Sequence, residues 1–156
     1  MHCSLCAGTP ADLETVLRWL PDTQACRLWA GPGVRFPASA ASLWIDIEAD
    51  GKNAFALHDP SEKIPVGFGQ LLPRESGTAH LARLIISPLH RGQGLGRQLC
   101  SALMRHGIDA LGAQEFTLRV YPDNKAAVAL YRSLGFTEEA DATEESGSLF
   151  MRARKT

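Results

Sequence analysis

The fold of this chain is decided by the run LIISPLHRGQGLG at residues 84–96. Its first residues are apolar and β-prone, Pro88 ends a strand, and the glycines open a new element. Apolar spacing downstream predicts a helix over residues 94–111. A glycine turn between a strand and a helix can bind an anion, because a helix N-terminus carries unpaired N–H groups and the positive end of the helix dipole.

Three interpretations of this turn differ in the residues they require around the glycines. A Walker-type phosphate loop needs Lys-Ser/Thr after its last glycine, whereas Arg97-Gln98 stands here. A dinucleotide site needs G-x-G-x-x-G directly after a strand and an acid at the end of the next strand, which here ends Arg119-Val120-Tyr121. The third interpretation is an ordinary helix start with flexible residues.

A second informative window lies downstream, where residues 124–136 read NKAAVALYRSLGF. Together the two windows resemble the motifs of the GNAT superfamily of N-acetyltransferases. The first motif is an apolar strand, a proline and then Arg/Gln-x-x-Gly-x-Gly/Ala; the second is Asn-x-x-Ala-x-x-Leu-Tyr-x-x-x-Gly-Phe. Both occur here in the family's order, with a predicted helix and strand between them, and the close match covers residues 81–136.

The predicted element order is β-α-α-β-β-β-α-β-α-β-β, which indicates a mixed α/β fold in one domain over residues 1–156. Asp12 is expected to complete a capping box at the first helix. An acidic turn is predicted at 141–147, and a final strand follows it. The resemblance implies a GNAT-like, mostly antiparallel sheet with helices on both faces and splayed strands that form a coenzyme A cleft.

The resemblance implies acetyl-CoA as co-substrate and no metal. In the family, the glycine turn binds the pyrophosphate through backbone N–H groups, and the preceding strand bonds the pantetheine arm like an added strand. An N–H at Leu84 or Ile85 would polarise the thioester carbonyl. Asn124 resembles the residue that bonds the pantetheine region, although asparagine is equally a good helix cap. The implied cofactor-binding residues are Leu84, Ile85, Ile86, Arg91, Gly92, Gln93, Gly94, Leu95, Gly96, Arg97 and Asn124.

Two catalytic residues follow from the resemblance. Tyr131 resembles the family's general acid, which protonates the departing thiolate, although it also falls on an apolar helical stripe and could be packing alone. Some family members use a glutamate base at the position that His80 occupies here. Histidine, with an unperturbed pKa of about 6.5, can serve as a base. Alternatively, His80 is an ordinary half-exposed strand residue. The base would then be Glu48, Asp46 or Glu75.

The acceptor is chosen in this family by the N-terminal half of the chain. Arg35 and Phe36 are the candidate substrate-binding residues, because Arg35 can pair with a carboxylate or phosphate and Phe36 can wall a pocket. Ordinary core packing is the alternative for both, and it is the favoured interpretation for Trp29 and Trp44. The implied acceptor is a small-molecule amine. A protein N-terminus or lysine, or a coenzyme A-binding module without turnover, remain the rival functions.

Composition also limits which other partners, metal sites and locations are expected. Sixteen basic and seventeen acidic residues leave a net charge of -1, which argues against a nucleic-acid partner. Cys3 and Cys6 form a C-x-x-C without a second ligand pair, so reduced thiols are expected rather than a metal site. With neither a signal peptide nor a membrane span in the pattern, we expect a cytoplasmic protein without a membrane partner, and a homodimer stays open.

Overall fold

The computed structural model describes residues 2–140 and 147–155. These residues form a mixed α/β fold in which seven strands make one sheet, in the order β1-β2-β3-β4-β5-β7-β6. The strands are β1 (Ser4–Ala7), β2 (Ala54–His58), β3 (Gly67–Pro73), β4 (Thr78–Ile86), β5 (Glu115–Val120), β6 (Thr137–Glu139) and β7 (Leu149–Arg154). The helices are α1 (Pro10–Leu17), α2 (Thr23–Ala30), α3 (Ala40–Asp46), α4 (Leu95–Leu111) and α5 (Lys125–Ser133).

The sheet is mostly antiparallel, as the resemblance implied. The pairs β1–β2, β2–β3, β5–β7 and β6–β7 are antiparallel, whereas β4 runs parallel to β5. The parallel ladder joins Thr78–His80 to Glu115–Thr117, although β4 continues to Ile86. Residues 81–86 of β4, which include Leu84, Ile85 and Ile86, therefore lie beyond the final pair of this ladder.

The chain divides into two compact units. The first comprises Met1–Gln70 and Arg83–Leu99, and the second comprises Leu71–Ala82 and Cys100–Thr156. In the first unit, apolar side chains of α1, α2 and α3 pack with Phe68 of β3 in a buried cluster. In the second unit, Phe116 of β5 is fully buried and lies against α4 at Gly107.

The beginning of α1 matches the capping box expected from the sequence. The Thr9 N–H donates to Asp12 Oδ2 at 2.8 Å, and the Asp12 N–H donates to the Thr9 carbonyl at 3.0 Å. Leu13 and Val16 then bury one face of the helix completely. Local hydrogen bonding and apolar spacing thus agree on where this helix begins.

Helix α2 was not predicted, since the sequence suggested two helices before β2 and the structure has three. Asp22 caps α2 by accepting from the Ala25 N–H at 2.8 Å. Cys26 and Ala30 are buried, whereas Leu28 is 54% exposed. With its largest aliphatic side chain in solvent and two small residues inside, α2 lacks the apolar periodicity that marks a helix in a sequence.

The remaining predicted segments agree closely with the structure. The strand that Pro88 was predicted to end, for which residues 78–86 are the apolar, β-prone candidate, has these bounds as β4, and the helix predicted at 94–111 begins one residue later. Most of the acidic turn predicted at 141–147 lies outside the described residues. No helix in the described part of the chain is both long and apolar enough to cross a membrane.

Candidate functional site

The glycine turn connects β4 to α4 within the first unit. The Ser87 N–H donates to the Val66 carbonyl at 2.8 Å, and a 3₁₀ turn follows at Pro88–His90. Gly92 and Gly94 then adopt φ values of +77° and +80°, which side-chain-bearing residues rarely reach. No atom of the residues that the structure describes lies within 4 Å of the place where a Cβ on either glycine would be. Backbone conformation, rather than lack of space, therefore requires glycine here.

The turn leads into a 17-residue helix, and the turn residues 91–94 are exposed. The Gln98 N–H donates to the Gly94 carbonyl at 3.1 Å, which makes Gly94 the first acceptor of α4. The N–H groups of Leu95 and Gly96 consequently have no carbonyl acceptor one turn earlier in the helix. Together with the helix dipole, they suit a phosphate or pyrophosphate.

The β4 segment before the turn packs closely on β3. Leu84, Ile85 and Ile86 are each half-buried. A Cβ on Gly67 would lie 2.9 Å from Ile86 Cδ1 and 3.3 Å from the Ile85 carbonyl oxygen. Glycine at this position of β3 therefore allows the backbone of β4 to approach.

A polar network that the sequence analysis missed lies immediately before this segment. Arg83, in the middle of β4, has a φ of +52°. Its carbonyl accepts from Trp29 Nε1 at 2.8 Å, and its guanidinium donates to the Ala30 carbonyl at 3.1 Å and to Gln70 Oε1 at 3.0 Å. Burial lowers the pKa of the Arg83 guanidinium, and the nearby Glu48 carboxylate opposes that shift.

The two candidate acceptor residues lie near α3 in the first unit. Arg35 is bound to Asp46 by Nε at 3.0 Å, by Nη2 at 2.9 Å and by its backbone N–H at 3.0 Å. These hydrogen bonds hold the pKa of the Asp46 carboxyl below its usual range. Phe36 is half-buried against the apolar cluster, as are Trp29 and Trp44. The Arg35 charge thus already has a carboxylate partner within the chain.

Tyr131 lies on α5 in the second unit. Its ring meets Phe136 edge-on, with centroids 6.1 Å apart and an interplanar angle of 66°. Burial is the main cause that raises the pKa of the Tyr131 phenol, and the charge of Cys100 adds to it. The phenol therefore keeps its proton beyond the pH at which an ordinary tyrosine would lose it.

Asn124 and His80 also belong to the second unit. Asn124 caps α5, since its Oδ1 accepts from the Ala127 N–H at 3.3 Å. His80 Nδ1 lies 2.7 Å from the hydroxyl of buried Thr117, its register partner on β5. The hydroxyl holds the imidazole in a defined orientation. Across the described residues, no group of three or more His, Cys, Asp or Glu side chains could hold a metal ion.

The predicted residues are thus distributed over both units. The glycine turn, Leu84–Ile86, Arg35 and Phe36 fall in the first unit, and His80, Asn124 and Tyr131 fall in the second. Sequence patterns could not reveal the Arg83 contacts or the Arg35–Asp46 pair, because their partners are distant in sequence. The positive φ of Arg83 leaves no mark on composition either.

Two curated relatives align with part of the chain. A spermidine N(1)-acetyltransferase of Vibrio cholerae is 35% identical over 102 residues, which are 64% of this chain and 57% of that protein. The [ribosomal protein bS18]-alanine N-acetyltransferase of Escherichia coli is 44% identical over 63 residues, which are 38% of this chain and 40% of that protein. The chain thus spans about half the length of the curated relatives it matches.

Fold similarity extends over nearly the whole chain. The crystal structure of spermidine N-acetyltransferase from Vibrio cholerae in complex with CoA and spermine superposes with a TM-score of 0.76 and 23% identity, covering 97% of this chain and 95% of that one. A family model described as the acetyltransferase (GNAT) family matches residues 13–136, which include the glycine turn and the helix that carries Tyr131. The chain therefore belongs to the acetyltransferase (GNAT) family.

Proposed function

We propose that this chain is an N-acetyltransferase that moves an acetyl group from acetyl-CoA to the primary amine of a small molecule. The observation that carries the proposal is the glycine turn at the N-terminus of α4, with Gly92 and Gly94 at positive φ. The N–H groups at this helix N-terminus suit the pyrophosphate of coenzyme A. Membership of the family supports this choice over other phosphate-containing ligands.

The donor would bind along the end of β4 and the glycine turn. Backbone groups of Leu84, Ile85 and Ile86 would bond the pantetheine arm, since these residues lie beyond the β4–β5 ladder. The pyrophosphate would lie on N–H groups from Arg91 through Arg97. Asn124 can donate from Nδ2 to the pantetheine while Oδ1 caps α5, so its two proposed roles are compatible.

The proposed chemistry is direct transfer. The amine nitrogen attacks the thioester carbonyl, the N–C bond forms, and the resulting oxyanion is stabilised by an N–H at Leu84 or Ile85. Collapse breaks the C–S bond, and Tyr131 gives its proton to the thiolate before it is reprotonated from water. Before the attack His80, directly or through water, takes the proton that converts the acceptor ammonium into a neutral amine. The second proton, which the nitrogen loses as the amide forms, returns to Tyr131 through water.

The proposed acceptor class rests on the relatives. The spermidine N(1)-acetyltransferase that aligns with this chain acts on a small polyamine, which favours a small amine here. The aligned alanine N-acetyltransferase of ribosomal protein bS18 favours a protein N-terminus as the second candidate. Arg35 would bind a carboxylate or phosphate on the acceptor only if it released Asp46. Phe36 would form an apolar wall of the acceptor pocket.

Thiol release from acetyl-CoA, measured with a panel of amines, tests the proposal. The panel would contain polyamines, aminoglycosides, single amino acids and a peptide beginning with alanine. Acceptor-dependent release with a small amine is the expected result. Release with the peptide alone would establish the protein N-terminus instead. Binding of coenzyme A without release from any acceptor would identify a binding module and overturn the enzyme proposal.

The organisation of the protein completes the proposal. We infer a single acetyltransferase domain over residues 1–156, because the family model already matches residues 13–136. A cytoplasmic location remains a prediction based on the sequence. The four cysteines, all of them free thiols, agree with a reducing compartment.

A further inference from the structure

The middle of β4 contains a backbone conformation that its residue type disfavours. Arg83 adopts a φ of +52°, although it carries a long side chain and lies inside a strand. Such a residue costs free energy and persists only where its surroundings hold it firmly. Leu84, the first of the residues proposed to contact acetyl-CoA, follows directly.

Three hydrogen bonds within the first unit hold Arg83 in place. Trp29 Nε1 donates to its carbonyl at 2.8 Å, and its side chain donates to the Ala30 carbonyl and to Gln70 Oε1. Gln70 is fully buried and also donates to the Ile47 carbonyl at 3.1 Å. Helix α2 and strand β3 therefore fix one residue of β4, and the end of α3 in turn holds Gln70.

The contact from Trp29 has a consequence for the next residue. The Arg83 carbonyl and the Leu84 N–H belong to one planar peptide group. The peptide bond between Arg83 and Leu84 is trans. In a trans peptide the C=O and N–H point in opposite directions. By holding the Arg83 carbonyl, the Trp29 indole therefore sets the direction of the Leu84 N–H.

We propose that Trp29 and Arg83 are positioning residues, which aim the Leu84 N–H at the thioester carbonyl of acetyl-CoA. Neither residue touches the reacting atoms. Trp29 fixes the peptide plane, and the guanidinium of Arg83 ties the turned backbone to Gln70. This inference deepens the proposed function and rests on it, since the function assigns the oxyanion contact to Leu84 or Ile85.

The variant Trp29→Phe tests the inference. It removes the indole N–H but retains an aromatic ring for the edge-on contact with Phe68, whose centroid lies 6.1 Å away. A misdirected N–H donor stabilises the oxyanion of the transition state less, while binding of the ground state changes little. We therefore expect kcat to fall about 10- to 100-fold. The Kd of coenzyme A, measured by calorimetry, should change less than about threefold.

Trp19→Phe is the matched control, because Trp19 packs on the same apolar cluster at a different place. It should leave kcat within about twofold of the parent, as expected for an independent site. Full turnover of Trp29→Phe would overturn the inference, and so would an equal loss in both variants. An increase in the Kd of coenzyme A as large as the loss of kcat would also overturn it.

Two substitutions at Arg83 distinguish the effect of its backbone conformation from the effect of its side chain. Arg83→Gly and Arg83→Ala both remove the guanidinium, but glycine adopts a positive φ without strain. If the backbone direction matters, Arg83→Gly should retain about tenfold more kcat than Arg83→Ala. Equal activity of the two variants would contradict a role for this conformation.

The Leu84 amide signal in a ¹H–¹⁵N NMR spectrum provides a readout that is independent of turnover. We expect this signal to shift in Trp29→Phe and to stay in place in Trp19→Phe. An unchanged signal in Trp29→Phe would overturn the inference even if the parent is active. Absence of thiol release by the parent, with a shifted Leu84 signal in the variant, would instead refute the proposed function and leave the positioning contact established.

Discussion

Tyr131 is the side chain on which the proposed proton transfer depends. Replacing it with phenylalanine keeps the edge-on contact with Phe136 and removes only the hydroxyl. Loss of a general acid lowers rates about 10²- to 10⁴-fold, and we expect kcat of Tyr131→Phe to fall by that amount. The Kd of coenzyme A, measured by calorimetry, should stay near that of the parent.

Tyr121→Phe is the natural control, because Tyr121 and Tyr131 are the two tyrosines of the sequence. It should retain the turnover of the parent, since Tyr121 carries no proposed proton transfer. Unchanged turnover in Tyr131→Phe would show that Tyr131 only packs. A rise in Kd that accounts for the whole effect would show that it only binds.

The pKa shift of Tyr131 makes a separate prediction about pH. Burial disfavours the phenolate and raises the pKa, so the proton needed by the thiolate stays on the phenol beyond the ordinary tyrosine value of about 10. Meanwhile the acceptor amine loses its proton as pH rises. We therefore expect kcat/KM of the parent to rise or level off up to about pH 10. A fall near pH 9 that disappears in Tyr131→Phe would contradict this assignment.

The Arg35–Asp46 pair predicts how stability depends on pH. The folded pKa of Asp46 is lowered, so the stability it contributes is present above the unfolded value of about 3.9 and is lost as pH falls through the folded value. Asp46→Asn should therefore unfold at a lower urea concentration than the parent at pH 7, and the difference should shrink below pH 4. A difference that persists at pH 2.5 would contradict the pairing.

At the scale of an element, the glycine turn provides a test with an internal control. Gly94 and Gly112 both have positive φ, at +80° and +64°, and both leave space for a Cβ. Gly94→Ala and Gly112→Ala should each lose about 1–2 kcal/mol of unfolding free energy from the same backbone cost. Only Gly94→Ala should also lose at least about tenfold in affinity for coenzyme A, because its methyl group occupies the proposed phosphate position.

Urea unfolding and calorimetric titration measure the two quantities independently. An equal change of affinity in both alanine variants would remove the turn from the donor site. The comparison works because α4 begins at Leu95 and ends at Leu111, so that one glycine precedes the helix and the other follows it. The two ends share a conformational requirement but differ in the sign of the helix dipole.

Packing in the cores governs stability at the scale of the whole molecule. In the second unit, a Cβ on Gly107 would lie 2.7 Å from Cε1 of buried Phe116, which leaves no room for a side chain on this face of α4. Gly107→Val should lower the unfolding free energy by about 1–3 kcal/mol through overpacking. Urea unfolding at constant pH measures the change.

Ala110→Val, on the exposed face of the same helix, is the control for the helix propensity of valine. It should cost less than about 1 kcal/mol, since no core contact changes. Equal costs for the two valine variants would mean that the close approach of α4 to Phe116 does not limit stability.

Much of this molecule follows from local patterns in its sequence. Alternation and apolar runs predicted β4 with its observed bounds, and periodicity placed α4 within one residue. Helix α2 was not predicted, because only Cys26 and Ala30 are buried along it while Leu28 faces solvent. Its stability comes from an Asp22 cap and from the cluster it meets, which periodicity does not report.

The sequence by itself determined the strand, glycine turn and helix that suit a phosphate, because those features depend on near neighbours along the chain. The tertiary structure alone decided which side chains support them. Trp29 bonds the Arg83 carbonyl across 54 residues, and Asp46 takes the guanidinium of Arg35 across 11. Such contacts depend on the path of the folded chain, and a local pattern therefore cannot specify them.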